Sequence, residues 1–351
     1  MNSAVLGVSF EIEKYMGKNR KYLSEYSVHI CSSKWIMMPS DQIQSDGKMC
    51  EEIEKVSKSC HIYLICRRPS TYFLKDTIKY DGETLEVDVG FKIDGKEESF
   101  SYKSKFLLLD GAVSLAVSDY PHREIITYDK DAGEVRVINA SLISINQDWD
   151  SPLKQLEVLY VGQAFGNGSR SAHERLKSHS TLQKILADSH HKYPDGEISV
   201  LMVKFEPYQL LVTMDGRSDV KNDNKVENNR FRSIQENPLK EKQQINLVEA
   251  ALIRYFQPLY NDMFKMKFPS PKVKVLRKCY ELDFTGLVVE INTEELGFRL
   301  YSHSRALNHH HICNVDIADE KSRAGFFYKT LGAGNMVKVS DCIGPSSYQK
   351  S

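Results

Sequence analysis

The chain has 351 residues, of which 41% are hydrophobic and 27% are charged, and its 47 basic side chains balance 47 acidic ones. This is the composition of an ordinary soluble protein, and the length provides material for more than one hydrophobic core. No stretch approaches the roughly 18 consecutive apolar residues of a membrane-spanning helix, which excludes a protein built on such helices.

The first 140 residues are predicted to form mainly strands. Residues 61–66 are a short apolar run that is typical of a buried strand. Two hairpins are also predicted, 85–93 with 98–109 and 123–128 with 134–139. We expect a β-rich accessory domain over residues 1–140, in which no motif indicates a particular chemistry.

A different pattern begins near residue 141 and extends to residue 268. The predicted elements are a hairpin of 141–146 with 156–164, a helix over 171–187, a strand over 197–207, an exposed polar loop over 215–244 and a helix over 243–256. This alternation of strands and helices indicates a second domain over residues 141–268.

The remaining residues, 269–351, return to strands at 282–291 and 296–302. They are expected to form a small β-rich region, either separate or as an edge of the N-terminal domain. The adjacent histidines His309, His310 and His311 are followed by Cys313, but three neighbouring side chains rarely converge on one ion. A surface loop is the expected structure for this stretch.

Glu249 places a carboxylate on the apolar face of the predicted helix 243–256. It lies three, four or seven residues from Ile245, Leu252, Ile253 and Phe256, so all five side chains share one side of the helix. An unpartnered carboxylate in such a place would cost several kcal/mol or become protonated. The pattern therefore indicates a group that requires a negative charge there.

The predicted helix 171–187 shows the same anomaly with the opposite chemistry. Its apolar stripe consists of Ala172, Leu176, Leu182 and Leu186, and the stripe also includes Arg175 and His179. The spacing of four residues stacks the guanidinium and the imidazole on one helix face. Two helices that direct charged groups inward indicate a site that handles phosphate or metal.

Three runs of residues give this segment a likeness to a known family. They are Tyr160-Val161-Gly162 on a strand, Arg-Leu-Lys-Ser-His at 175–179, and the run from Glu249 to Asn261, which reads EAALIRYFQPLYN. The segment 141–268 resembles the GIY-YIG endonuclease superfamily. The resemblance implies an α+β chain whose central domain, a small mixed sheet of about three strands flanked by helices, lies between β-rich N-terminal and C-terminal regions.

The resemblance also implies roles for five residues. Glu249 would bind one divalent ion, Mg²⁺ or Mn²⁺, and Arg175 would hold the scissile phosphate. Tyr160 would position or deprotonate the attacking water, His179 would assist it, and Asn261 would fix the site through hydrogen bonds. These residue types suit phosphodiester hydrolysis, which requires a cation, a forked donor and a base.

The sequence departs from the family in its first motif, because the strand predicted before Tyr160, residues 141–146, contains no tyrosine. Two residues could replace it as the base. His179 is preferred, since a neutral imidazole is a competent base near pH 7 and lies one helical turn from Arg175. Tyr128 is the alternative if residues 123–128 form the first strand of the domain.

The expected function is a metal-dependent DNA endonuclease. Since the net charge is zero, sequence-independent binding to phosphates is disfavoured, and specific or recruited cleavage is expected. DNA is expected to contact the modestly basic segment 141–268, and a protein partner or a second copy the acidic N-terminal region. A non-cleaving binding or assembly module, and an RNA-cleaving or toxin nuclease, are the alternatives. The first residues lack the order of a signal peptide, so a cytoplasmic location is expected.

Overall fold

The computed structural model describes most of the chain. The described residues are 20–44, 51–164, 176, 179–216, 220–221, 223–270, 273–318, 323–330 and 336–338. In these parts of the chain, no helix combines the length and the apolar character that are needed to cross a membrane.

The structure is rich in strands. In chain order, the strands are β1 (Ser24–Pro39), β2 (Ile62–Pro69), β3 (Thr71–Phe73), β4 (Lys79–Tyr80), β5 (Thr84–Ile93), β6 (Lys96–Lys105), β7 (Ser114–Val117), β8 (Glu124–Tyr128), β9 (Glu134–Asn139), β10 (Gln155–Gln163), β11 (Gly196–Phe205), β12 (Gln209–Met214), β13 (Gly286–Asn292), β14 (Arg299–Ser302), β15 (Arg305–Asn308), β16 (His310–Asp316), β17 (Tyr328–Thr330) and β18 (Met336–Lys338). The α-helices are α1 (Ser40–Gln44), α2 (Glu51–Ser59), α3 (Ala140–Ile143), α4 (Ser180–Lys192), α5 (Asn224–Glu236), α6 (Glu241–Phe256) and α7 (Arg277–Glu281).

The largest sheet has nine strands, eight of them in the order β15-β14-β10-β2-β11-β1-β13-β16. Strand β1 is long enough to take part in two regions of this sheet. Its first half pairs with β12 and, in parallel, with β13, whereas its second half pairs with β11. The sheet is mixed, because β10 and β14 are also parallel.

The sheet curves around helix α6, which contacts β2, β10, β13 and β16. Eight residues of this helix are buried, and they lie on more than one of its sides. A helix that packs on a flat sheet buries one side, so the sheet encloses α6 more fully than a flat sheet would. The two ends of the strand order also approach each other. Nε2 of His311 on β16 lies 3.0 Å from the carbonyl oxygens of Leu300 on β14 and Asn308 on β15. The result is a nearly closed, barrel-like sheet with α6 against its inner face.

This topology shows that the predicted fold class was wrong. The small central sheet flanked by helices does not exist, because β2, from the first 140 residues, lies between β10 and β11 and pairs with both. Strands β13 to β16, from the last part of the chain, belong to the same sheet. Side-chain alternation predicted the faces of the strands but not their partners, which depend on long-range packing.

Two shorter predictions within residues 141–268 were also wrong. Residues 140–146 form α3 and a 3₁₀ turn rather than a strand, because the Asn139 side chain accepts a hydrogen bond from the Ser141 backbone and caps the helix. The stretch predicted as a polar loop contains α5. Its N-terminus is capped by Asp223, whose carboxylate accepts from the backbone N–H groups of Lys225 and Val226.

An inserted unit separates β2 from β10 along the chain. It contains strands β3 to β9 in two small sheets with a shared apolar core, and both predicted hairpins are confirmed as β5–β6 and β8–β9. Buried Arg68 on β2 connects this unit to the large sheet. Its guanidinium donates to Glu197 Oε1 on β11 at 2.7 Å, to the Ser141 carbonyl at 3.0 Å and to Ser144 Oγ at 3.2 Å.

Candidate active site

Two tyrosines on neighbouring strands form the centre of the candidate site. Strands β2 and β10 are antiparallel and place Tyr63 opposite Gly162, so the Tyr63 and Tyr160 rings lie 6.2 Å apart. A Cβ on Gly162 would lie 2.6 Å from the Tyr63 ring and 2.7 Å from the Tyr160 ring. Only glycine at this position permits both tyrosines to approach the strand so closely.

His179 supplies a third ring to this cluster. Its ring centroid lies 5.4 Å from that of Tyr160 and 5.8 Å from that of Tyr63. Nδ1 accepts a hydrogen bond from the backbone N–H of Leu182 at 3.2 Å and caps helix α4. A neutral imidazole with an accepting Nδ1 carries its proton on Nε2, so Nε2 donates to the Tyr63 hydroxyl, 3.2 Å away.

His179 does not lie inside a helix, so the helix predicted over 171–187 is interrupted at this residue. The backbone of His179 has φ −85° and ψ 108°, which is extended, and helix α4 starts at the following residue. A side chain at an N-cap points along the first turn rather than along an i, i+4 stripe. Arg175 lies outside the described residues, whereas Leu176 and Leu182 of the predicted stripe are fully buried.

Asn261 stabilises the strand that carries Tyr160. Its side chain is 6% exposed and binds both polar groups of the Val161 backbone: Oδ1 accepts from N–H at 2.9 Å and Nδ2 donates to C=O at 2.8 Å. Strand β14 pairs with β10 only at residues 155–157, so the edge of β10 is open near Val161. The amide group therefore takes the place of a neighbouring strand.

Glu249 is half-buried at the rim of the apolar face of α6. Ile245, Leu252, Ile253 and Phe256, predicted to share this face, are buried. The carboxylate accepts a hydrogen bond from Gln163 Nε2 at 2.7 Å, and the same nitrogen lies 2.9 Å from Asn246 Oδ1. Two oxygens from successive turns of α6 thus converge on one positively polarised group at the end of β10.

The structure places Tyr160, His179 and Asn261 together at β10, and Glu249 contacts the same strand from its other face. Tyr160 and His179 are in contact, Asn261 binds the residue after Tyr160, and Glu249 binds Gln163 three residues further along. Val161 belongs to the core beneath α6 and Tyr160 packs on the opposite core. Strand β10 consequently contributes side chains to the ring cluster on one face and to Glu249 on the other.

Comparison of the chain with protein-family models, with curated proteins and with solved structures finds no match. The resemblance of residues 141–268 to a nuclease superfamily therefore rests on the motif residues alone.

Tyr63 was not predicted from the sequence. The first tyrosine was expected on the strand that immediately precedes Tyr160, but the inserted unit separates the two paired strands along the chain. The available signal was Ile62-Tyr63 in the apolar run 61–66, which matches the last two letters of the superfamily's first motif. Tyr128, the alternative considered, lies on β8 in a small sheet of the inserted unit.

The capping role of His179 predicts a measurable effect on stability. His179→Ala removes the acceptor for the Leu182 N–H and is expected to lower the free energy of unfolding by about 1 kcal/mol. Asparagine caps helices well, so His179→Asn should recover most of this loss. Urea unfolding at neutral pH measures both variants, with exposed His191→Ala as the matched control. Equal destabilisation by alanine and asparagine would assign the effect to ring packing instead.

Proposed function

We propose that the chain is a metal-dependent endonuclease that hydrolyses phosphodiester bonds in DNA. One observation carries this proposal: Tyr63 lies beside Tyr160 on a paired strand, with His179 bonded to its hydroxyl. Tyr63 would supply the tyrosine that the strand predicted before Tyr160 lacks. The resemblance of the motif residues to the GIY-YIG endonuclease superfamily is part of this proposal.

The ring cluster can handle the attacking water. A tyrosine hydroxyl both donates and accepts hydrogen bonds, so the Tyr63 and Tyr160 hydroxyls can orient a water molecule, and the ionised form of either side chain can take up its proton. The Nε2–H of His179 donates to the Tyr63 oxygen and would stabilise the tyrosinate before the proton is transferred to it. His179 therefore acts through Tyr63 in this proposal, which makes it a positioning residue.

The donor atoms near Glu249 fit a hard divalent cation such as Mg²⁺ or Mn²⁺. The Glu249 carboxylate and the Asn246 amide oxygen converge on Gln163 Nε2, and oxygen is the ligand that these ions prefer. When bound, the ion would neutralise charge on the phosphate oxygens. Glu249 is the residue proposed to hold it, and the ion would retain most of its water ligands.

The remaining parts of the proposal concern the substrate. Arg175, which the resemblance assigns to the scissile phosphate, keeps that proposed role. A chain with zero net charge depends less on general phosphate neutralisation, so we expect a chosen or recruited DNA target. The inserted unit between β2 and β10 contains no motif that indicates chemistry of its own. It is connected to the large sheet through Arg68, and we propose that it contacts the DNA target or a protein partner.

A nicking assay tests this function directly. Supercoiled plasmid is incubated with the purified chain plus Mg²⁺, plus Mn²⁺ or with a chelator, and an RNA of matched length is run in parallel. Open-circular DNA should appear only with metal, in column fractions that contain the chain. A gel shift without cleavage under any condition would identify the alternative, a nucleic-acid-binding module, and cleavage of RNA alone would replace DNA as the substrate.

A further inference from the structure

A second group of polar side chains lies on the large sheet, away from the candidate active site. On β1, His29 and Cys31 alternate with buried Val28 and Ile30, so they point away from the core beneath α6. Strand β13 is parallel to β1 and places Glu290 directly beside Cys31. Strands β11 and β2 separate this position from β10 in the sheet.

The polar atoms of this cluster are close together. Nε2 of His29 lies 2.9 Å from Glu290 Oε2 and 3.1 Å from Cys31 Sγ, and Cys31 Sγ lies 3.5 Å from the same carboxylate oxygen. The other oxygen, Oε1, lies 2.6 Å from Nε2 of His310 on β16. Strand β1 thus contributes one nitrogen and one sulfur, and β13 contributes one carboxylate. The adjacent strand β16 places a second imidazole against that carboxylate.

A nucleophilic cysteine does not explain this arrangement. In a Cys–His–Glu relay, one ring nitrogen faces the sulfur and the other faces the carboxylate, so that a proton can pass through the ring. Here the same Nε2 of His29 faces both Cys31 and Glu290.

We propose that His29, Cys31 and Glu290 bind one Zn²⁺ ion. Zinc takes nitrogen, sulfur and carboxylate ligands at about 2.0–2.3 Å, and in a tetrahedron such ligand atoms are about 3.3–3.8 Å apart. The three atoms are 2.9–3.5 Å apart here. The side chains therefore need to separate by only a few tenths of an ångström to bind the ion. All of them lie within 4.8 Å of one another.

His310 completes the arrangement by orienting the Glu290 carboxylate through Oε1. The ion would connect β1 and β13, which come from opposite ends of the described chain, and would therefore stabilise the sheet. Residues of the proposed nuclease site take no part in this cluster, so the two proposals stand independently.

Cobalt titration of the chelator-treated full chain tests the zinc site. Co²⁺ bound by Cys31 should give a thiolate-to-cobalt charge-transfer absorption with a stoichiometry of one, and Zn²⁺ should abolish it by displacement. An all-oxygen site such as that proposed at Glu249 gives no such absorption. Zn²⁺ should also raise the Tm of the chain, because a ligand that binds only the folded state stabilises it.

Variants decide whether these residues form the site. Cys31→Ser should abolish the charge-transfer absorption, His29→Ala should weaken binding strongly, and His310→Ala should weaken it by about 10–100-fold. Exposed His191→Ala is the matched control and should bind like the wild type. Circular dichroism checks that each variant folds. Absence of the absorption in the wild type, or its persistence at unchanged affinity in His29→Ala, would overturn the proposal.

Discussion

Glu249→Gln is expected to reduce metal-dependent DNA nicking by about a hundredfold to a thousandfold. The reason is that a divalent ion supplies several kcal/mol of charge stabilisation in the transition state, and each 1.36 kcal/mol corresponds to about tenfold in rate. Glutamine keeps the size of the side chain, and its amide oxygen can still accept the hydrogen bond from Gln163. The nicking rate at saturating Mg²⁺ or Mn²⁺ measures the effect.

The same substitution should leave the fold intact. Replacing a charged acceptor by a neutral one weakens the partly exposed hydrogen bond to Gln163, so the free energy of unfolding should change by about 1 kcal/mol or less. Glu241→Gln is the matched control, because Glu241 lies on the same helix and is exposed at its start. If Glu249→Gln and the wild type nick DNA at the same rate, the proposed metal ligand is wrong.

Local sequence patterns predicted helix α6 well. The apolar periodicity placed it at 243–256, and the structure has it at Glu241–Phe256. Its end follows from backbone chemistry, because Gln257 adopts the left-handed region at φ +50° and Pro258 cannot continue a helix. The four apolar residues that periodicity placed on one face are buried, but Leu247, Val248, Ala250 and Ala251 are buried as well, which the pattern of one helix did not predict.

Strand neighbours could not be predicted in this way. The pairing of β2 with both β10 and β11 joins residues that the inserted unit separates along the chain, and no local pattern encodes such a pair. This limit explains why Tyr63 was missed although its apolar run was recognised as a strand. Asn261, in contrast, was assigned from the resemblance of the run 249–261, and the structure adds its hydrogen bonds to Val161.

The histidine run at 309–311 shows the same limit on a smaller scale. A surface loop was predicted here because the residues are polar, but strand β16 begins at His310. Alternation on this strand sends His310 outward to Glu290 and His311 inward, where it is 3% exposed and bonded to two carbonyl oxygens. Burial lowers the pKa of His311. The adjacent histidines therefore do not converge on one ion. His310 instead contacts Glu290 from another strand, and Glu290 also contacts His29.

Tyr63→Phe is expected to reduce nicking by about a hundredfold or more, in the range that the loss of a proton-transfer group produces. Phenylalanine keeps the ring that packs over Gly162 and beside Tyr160, and it removes the hydroxyl together with its bond to His179. Nicking rates at several pH values, with folding checked by urea unfolding, measure the effect. Tyr128→Phe, in the inserted unit, is the matched control and should be silent.

The comparison with His179→Asn determines which group takes the proton. Because Nε2 of His179 donates to Tyr63 and Nδ1 caps α4, the asparagine variant should lose less activity than Tyr63→Phe. The reverse order would make His179 the base, as the sequence alone suggested. A damaging Tyr128→Phe with a silent Tyr63→Phe would move the base to the inserted unit. Each substitution removes one of these three candidate proton acceptors and leaves the other two in place, so the order of the three rates distinguishes them. Undiminished rates in all three variants would leave Tyr160 as the acceptor.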